Sequence, residues 1–185
     1  MSILVSHSQT PLLPDTLPAV KMTEFFGSAK SGPVYSYLKL HECNGSIHLC
    51  LMAFEETPAP QSRLGAAFCF DNTQPGKFIF FSANAMENFS LLLYNNTANP
   101  LALPASGSIF SGRDEQGFYW GVETILSADL LAQHFGSAPK VKSVFGGNAF
   151  KYNTTEAAFG SAFAVPLGNT VPTCKGFGTF TVVPY

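Results

Sequence analysis

Apolar and polar positions alternate with a period of two over much of this chain, the mark of half-buried strands, and turn residues break the alternation every eight to fifteen residues. Residues 34–41, rich in Tyr and Leu, lie between Gly32-Pro33 and Asn44-Gly45. Residues 46–54 follow, with Ile47, Leu49, Leu51 and Ala53 alternating against His48, Cys50 and Met52. Asn-Gly between two such runs is a strong two-residue hairpin signal. Further strands are predicted over 64–70, ended by Asp71-Asn72, and over 77–83, after Pro75-Gly76. Three more are predicted over 90–94, 117–126 and 178–183.

One segment reads as helix. Ser127 can cap its N-terminus, Asp129 sits in the first turn, Leu130, Leu131 and Phe135 give an apolar stripe, and Gly136 stops it. This predicts a helix over 128–135. Many short strands with one short helix argue for a mostly β fold. The expectation is an antiparallel β-sandwich, jelly-roll or immunoglobulin-like, rather than alternating β-α units. No repeat or linker divides the chain, so residues 1–185 read as a single domain with its core over about 34–183.

Composition sharpens this. Apolar residues make up 46%, which excludes a disordered chain, and charged residues only 12%, about half the usual share. The surface must therefore be built largely from uncharged polar groups, which suits hydroxyl-rich ligands. A formal net charge of -2 supplies no field to attract nucleic acid, so no such partner is expected. The eighteen Phe and six Tyr read mainly as filling between packed sheets. No apolar run is long enough for a membrane span, and no basic-then-apolar leader opens the chain. The expectation is a cytoplasmic protein with no membrane partner, whose Cys43, Cys50, Cys69 and Cys174 stay reduced.

Three stretches carry a resemblance. Residues 148–162 contain Asn148, Phe150, Lys151, Phe159, Gly160 and Ser161 in the order of an Asn-Phe-Tyr-Lys run, a polar turn and a His-Phe-Gly-Ser-Trp-like run. Tyr119-Trp120-Gly121-Val122 looks like a Trp-x-Val strand leading into a turn and short helix. Phe177-Gly178-Thr179-Phe180 is similar to a closing Phe-Gly strand. A weaker match runs from Phe54-Glu55 through Phe68-Cys69-Phe70 to Asn84. Together these resemble the family 9 carbohydrate-binding modules over most of the chain. The resemblance implies a β-sandwich that binds a saccharide and does not catalyse. The chain departs from the family pattern at Ala158, at Ala162, where a Trp is usual, and over 62–67, where an acidic strand is usual. No cofactor is expected; calcium enters by family resemblance only.

A sugar site needs an apolar face for the ring's C–H side and placed polar groups for its hydroxyls. The candidates are Lys151, Asn148, Phe159 and Tyr152 from the best-matching stretch, with Asn84, Glu55 and Arg63 opposite. Lys151 lies between Phe150 and Tyr152 and points away from them if the stretch is extended. It reads either as a donor to a sugar hydroxyl or as a solvated strand-end lysine. Asn148, Asn153 and Asn84 read either as amide contacts or as turn formers. Trp120 shares a strand face with Val122 and is expected in the core, with its N–H needing a partner.

Enzymatic readings find little. Glu55, Glu56, Asp71, Glu115, Glu123 and Glu156 show no paired motif for glycoside hydrolysis. Gly160-Ser161 lacks the rest of a nucleophile elbow, and the four His have no metal-ligand spacing. The expected function is weak, non-catalytic binding of a neutral mono- or oligosaccharide. The alternative is a β-sandwich scaffold or interaction domain that has lost the sugar site.

Overall fold

The computed structural model describes residues 2–27, 34–74, 76–96, 99–155 and 158–184. The turn signals at Gly32-Pro33 and Pro75, and the carboxylate of Glu156, lie outside the described residues. In chain order the strands are β1 (Ser2–Ser8), β2 (Val20–Lys21), β3 (Glu24–Phe26), β4 (Ser36–Cys43), β5 (Ser46–Ala53), β6 (Ser62–Cys69) and β7 (Lys77–Ala83). They continue with β8 (Phe89–Asn95), β9 (Leu101–Leu103), β10 (Ser108–Asp114) and β11 (Gly117–Leu126). After helix α1 (Ala128–Phe135) come β12 (Val144–Asn153), β13 (Phe159–Ser161) and β14 (Gly178–Pro184).

The local signals explain these elements. At the β4–β5 hairpin Asn44 has φ 50° and Gly45 φ 84°, the paired positive angles of a primed turn. Helix α1 starts where Ser127 Oγ accepts the Leu130 N–H and ends at left-handed Gly136. It buries Leu131 and Phe135.

The strands form one hydrogen-bonded path in the order β10-β11-β5-β4-β1-β14-β12-β6-β7-β8-β9. This path folds over a single main core. Leu38, Leu51, Trp120 and Val122 from one half pack in it with Leu64, Phe68, Phe81, Phe145 and Phe180 from the other. The rings interlock: Phe145 stacks on Phe180 at 5.4 Å between centroids, and Phe68 meets both edge-on at 5.8 Å. The architecture is thus the expected sandwich, but it is mixed rather than purely antiparallel. Strand β1 runs parallel to both neighbours, pairing Ser2–His7 with Thr179–Pro184 of β14 and Ser6–Ser8 with His41–Cys43 of β4. Val5 at its centre is fully buried, so the core begins well before residue 34.

A second, smaller apolar layer covers the outer face of β6, β7 and β12. It contains Phe78, Phe80, Phe150 and Phe159, with Val165, Val171 and Phe177 from the chain before β14 packed against it. Gly65 is required here: a Cβ on it would sit 2.8 Å from the Phe80 ring.

Between β1 and β2 the chain forms a strap over the outer face of the other half. The Leu12 N–H donates to His41 Nε2 at 3.1 Å, Asp15 pairs with Lys39 at 3.7 Å, and Asn44 Nδ2 donates to Gln9 O at 3.0 Å. His41 is 3% exposed and stacks on His48 at 4.6 Å. Accepting at Nε2 requires a neutral ring with its proton on Nδ1. Burial, and secondarily His48, lower the His41 pKa from 6.5 to about 4. Between these values the unfolded chain binds a proton that the folded chain refuses, so stability falls as pH drops from 6.5 toward 4. Urea unfolding midpoints measured across that range should show the loss, and His41→Gln should flatten it.

Candidate functional site

The registers bring several loops to one end of the sandwich. Strand β5 leaves there at Ala53 and β6 enters at Ser62; β7 leaves at Ala83 and β8 enters at Phe89; β12 leaves at Asn153, opposite Ser62. Backbone and amide bonds tie this end together. Thr154 N–H donates to Gln61 O at 3.1 Å, and Asn84 Nδ2 donates to Pro60 O at 2.8 Å.

Alternation decides what faces inward. On β6, Leu64 points into the main core, so Ser62 does too. On β12, Phe150 and Tyr152 lie in the outer layer, so Lys151, paired with Leu64, points between the sheets. There it meets Glu55. The Glu55 Oε2 accepts from Trp120 Nε1 at 3.1 Å and from Ser62 Oγ at 2.9 Å, and lies 3.2 Å from Lys151 Nζ. Lys151 Nζ also donates to Ser62 Oγ at 2.5 Å. The Lys151 and Glu55 side chains are only 10% and 18% exposed. Trp120, at 2% exposure, is the core indole expected, and Glu55 is the partner its N–H needs.

A half-buried ion pair is tolerated when hydrogen bonds satisfy its remaining groups. Here the satisfaction is lopsided. Among the described residues the bonds converge on Glu55 Oε2, while Oε1 has only a 3.3 Å contact from Ser62. The Lys151 ammonium has three N–H donors, and two go to Ser62 and Glu55. One carboxylate oxygen and one ammonium N–H therefore keep hydrogen-bonding capacity, and a hydroxyl has the chemistry to use it, donating to a carboxylate and accepting from an ammonium.

The other expected site residues are placed differently. Arg63 and Tyr152 are cross-strand partners on the outer face, at the same end. Arg63 Nη2 donates to Asn88 O at 2.8 Å. The Tyr152 hydroxyl bonds with Ser82 and Arg63, and burial pushes its pKa up. Three expected contacts are structural instead. Asn148 is fully buried: its Oδ1 accepts from Ala162 and Phe163 N–H, and its Nδ2 donates to Phe163 and Gly176 carbonyls, so its amide holds the chain before β14. Asn84 Oδ1 accepts from Met86 and Asn88 N–H and shapes the 84–88 turn. Phe159 is 8% exposed and stacks on Phe26 at 5.2 Å, leaving no open ring face for a sugar.

Apolar surface at this end comes from residues not expected there. Tyr35 is 40% exposed and packs on Phe54 at 5.5 Å, one residue before Glu55; Phe25 and Phe118 are exposed as well. Tyr35 lies in the strand predicted over 34–41, but nothing in the alternation marked it, or Phe25, as exposed. Ser62 carries no sequence signal at all. The cysteines are free thiols. Among the described residues no three His, Cys, Asp or Glu side chains gather where they could hold a metal ion. Among them, too, no helix is long and apolar enough to cross a membrane.

No family model and no curated protein matches this chain. Solved structures do. A family 9 carbohydrate-binding module from Caldicellulosiruptor kristjanssonii in complex with glucose superposes with a TM-score of 0.65 at 10% identity, covering 100% of this chain and 97% of that one. The same organism's family 9 module in complex with cellotriose gives 0.59 at 9% identity, covering 100% and 95%. A suspected carbohydrate-binding protein from Bacteroides uniformis gives 0.71 at 11% identity, covering 98% of each chain. The fold is that of the family 9 modules.

The two roles of Trp120 are separable. Trp120→Ala should cost about 3–5 kcal/mol in urea unfolding, as for large core truncations. Trp120→Phe keeps a six-membered ring in the core but deletes the five-membered ring together with its N–H donor to Glu55, so it should cost less than Trp120→Ala, about 1–3 kcal/mol. Equal losses in the two variants would mean that the part of the indole next to Glu55 carries the whole contribution.

Proposed function

We propose that this chain is a non-catalytic carbohydrate-binding module that takes a neutral mono- or oligosaccharide at the Glu55–Lys151 end of the sandwich. The observation that carries this reading is the lopsided ion pair: Glu55 Oε1 and a Lys151 N–H with capacity left over, in a partly dry setting. A sugar hydroxyl matches that donor–acceptor pair, and charge-assisted hydrogen bonds of this kind are the stronger ones. Phe54, next to Glu55 in the chain, and Tyr35, which packs on it, supply apolar surface for a pyranose C–H face. Arg63 and Tyr152 border the site on its outer side. The structural neighbours that hold glucose and cellotriose support a saccharide as the ligand class. Their description as binding modules supports the non-catalytic reading.

Affinity should be weak. Two charged groups serve the ligand, and each is already partly engaged, so a dissociation constant near ~1 mM, about 4 kcal/mol, is expected. A thermal-shift screen of glucose, cellotriose and other neutral oligosaccharides tests this. At about 10 mM, a ligand of that affinity should stabilise by about 1.4 kcal/mol and raise Tm by roughly 3–5 °C. The rise should vanish in Glu55→Gln and in Lys151→Ala, each compared with its own ligand-free melt. If no sugar shifts the parent protein, the scaffold reading replaces this one. If the variants bind as well as the parent, the site lies elsewhere.

A further inference from the structure

A second concave site lies far from Glu55 and Lys151, on the outer face of β4, β5 and β11 under the strap. It is a cavity of about 540 Å³, within the usual range for small-molecule pockets. Its floor is two rows of side chains in register across three strands. One row is Glu123, Cys50 and Lys39; the next is Ile125, His48 and His41. Leu12, Leu13 and Leu17, with Pro11 and Pro14, form an apolar wall on the strap side.

The charges of this cavity do not cancel. Lys39 is matched by Asp15 at 3.7 Å. His41 is neutral, since it accepts from the Leu12 N–H, and burial lowers the pKa of His48 as well. Burial pushes the Cys50 thiol up to about 12, so it stays uncharged. Glu123 is left: exposed at the cavity edge, it has no hydrogen-bond or ion-pair partner among the described residues. Lys39 stands two strands away, roughly 9–10 Å by the spacing of neighbouring strands. The cavity therefore joins one unmatched carboxylate to an apolar wall and to the half-buried imidazole of His48.

We propose that this cavity is a second ligand site, selective for an organic cation: a primary ammonium group on an apolar body. The ammonium pairs with Glu123, and the body lies between Ile125 and the leucines and prolines of the strap. Carbohydrate binding at the other end neither requires nor precludes this.

The test is an amide NMR titration of the full chain with phenethylamine, alongside 2-phenylethanol and 3-phenylpropanoate as neutral and anionic counterparts. The amine should shift resonances of Leu12, His48 and Ile125 saturably. The alcohol should bind about tenfold more weakly, the difference a charge-assisted contact makes, and the carboxylate more weakly still. Glu123→Gln, at an exposed position, should keep the native spectrum and reduce amine affinity to that of the alcohol. Equal affinity for amine and alcohol would overturn the proposal. So would an unchanged amine affinity in Glu123→Gln, or shifts confined to other parts of the chain.

Discussion

The two halves of this sandwich are joined in the ladder by one strand. Strands β4, β5, β10 and β11 pair antiparallel on one side, and β6, β7, β8 and β12 do so on the other. Among the described residues only β1 bridges them, parallel to β14 along Ser2–His7 and to β4 along Ser6–Ser8. With Val5 fully buried at its centre, β1 sets how the two sheets face each other around the phenylalanine core. Everything that depends on the space between the sheets depends on it, including the polar end where Lys151 meets Glu55. Because it couples residue 2 to residue 179, this contact forms only at the cost of closing nearly the whole chain.

Within that frame the pleat does the sorting. Successive residues on β12 go to opposite faces, so Phe150 and Tyr152 join the outer aromatic layer while Lys151 is turned into the sandwich. A lysine there is unfavourable unless paired, and Glu55, Ser62 and Trp120 provide the pairing. The small run Gly65-Ala66-Ala67 follows from the same packing: it makes room for Phe80 on one face and the main core on the other.

The outer surfaces of the two halves are finished differently. One is covered by the chain before β14, clamped by the amide of Asn148, with a smaller cavity of about 320 Å³ beside Cys174 and Phe177. The other is crossed by a proline-bearing strap that touches the sheet at separate points and leaves a cavity of about 540 Å³ beneath. One of the strap's points of attachment, the Leu12 N–H to His41, depends on the protonation state of that ring.

The sequence by itself determined what local physics determines. The Asn44-Gly45 turn, helix α1 between Ser127 and Gly136, the strands at 77–83 and 117–126, and Trp120 in the core all follow from turn chemistry, capping and alternation. It also placed Lys151 opposite its aromatic neighbours and indicated that the Trp120 N–H needed a partner. Only the tertiary structure decided what those groups meet. The parallel pairing of β1 is a match between distant segments, and its short run has no turn signals to announce it. Asn148, Asn84 and Phe159 have side chains suited to a sugar, but an amide bonds backbone as readily as a hydroxyl, and a ring stacks on Phe26 as readily as on a pyranose. Which use prevails depends on the chain that folds around them: the 84–88 turn and Pro60 for Asn84, the segment before β14 for Asn148, and β3 for Phe159.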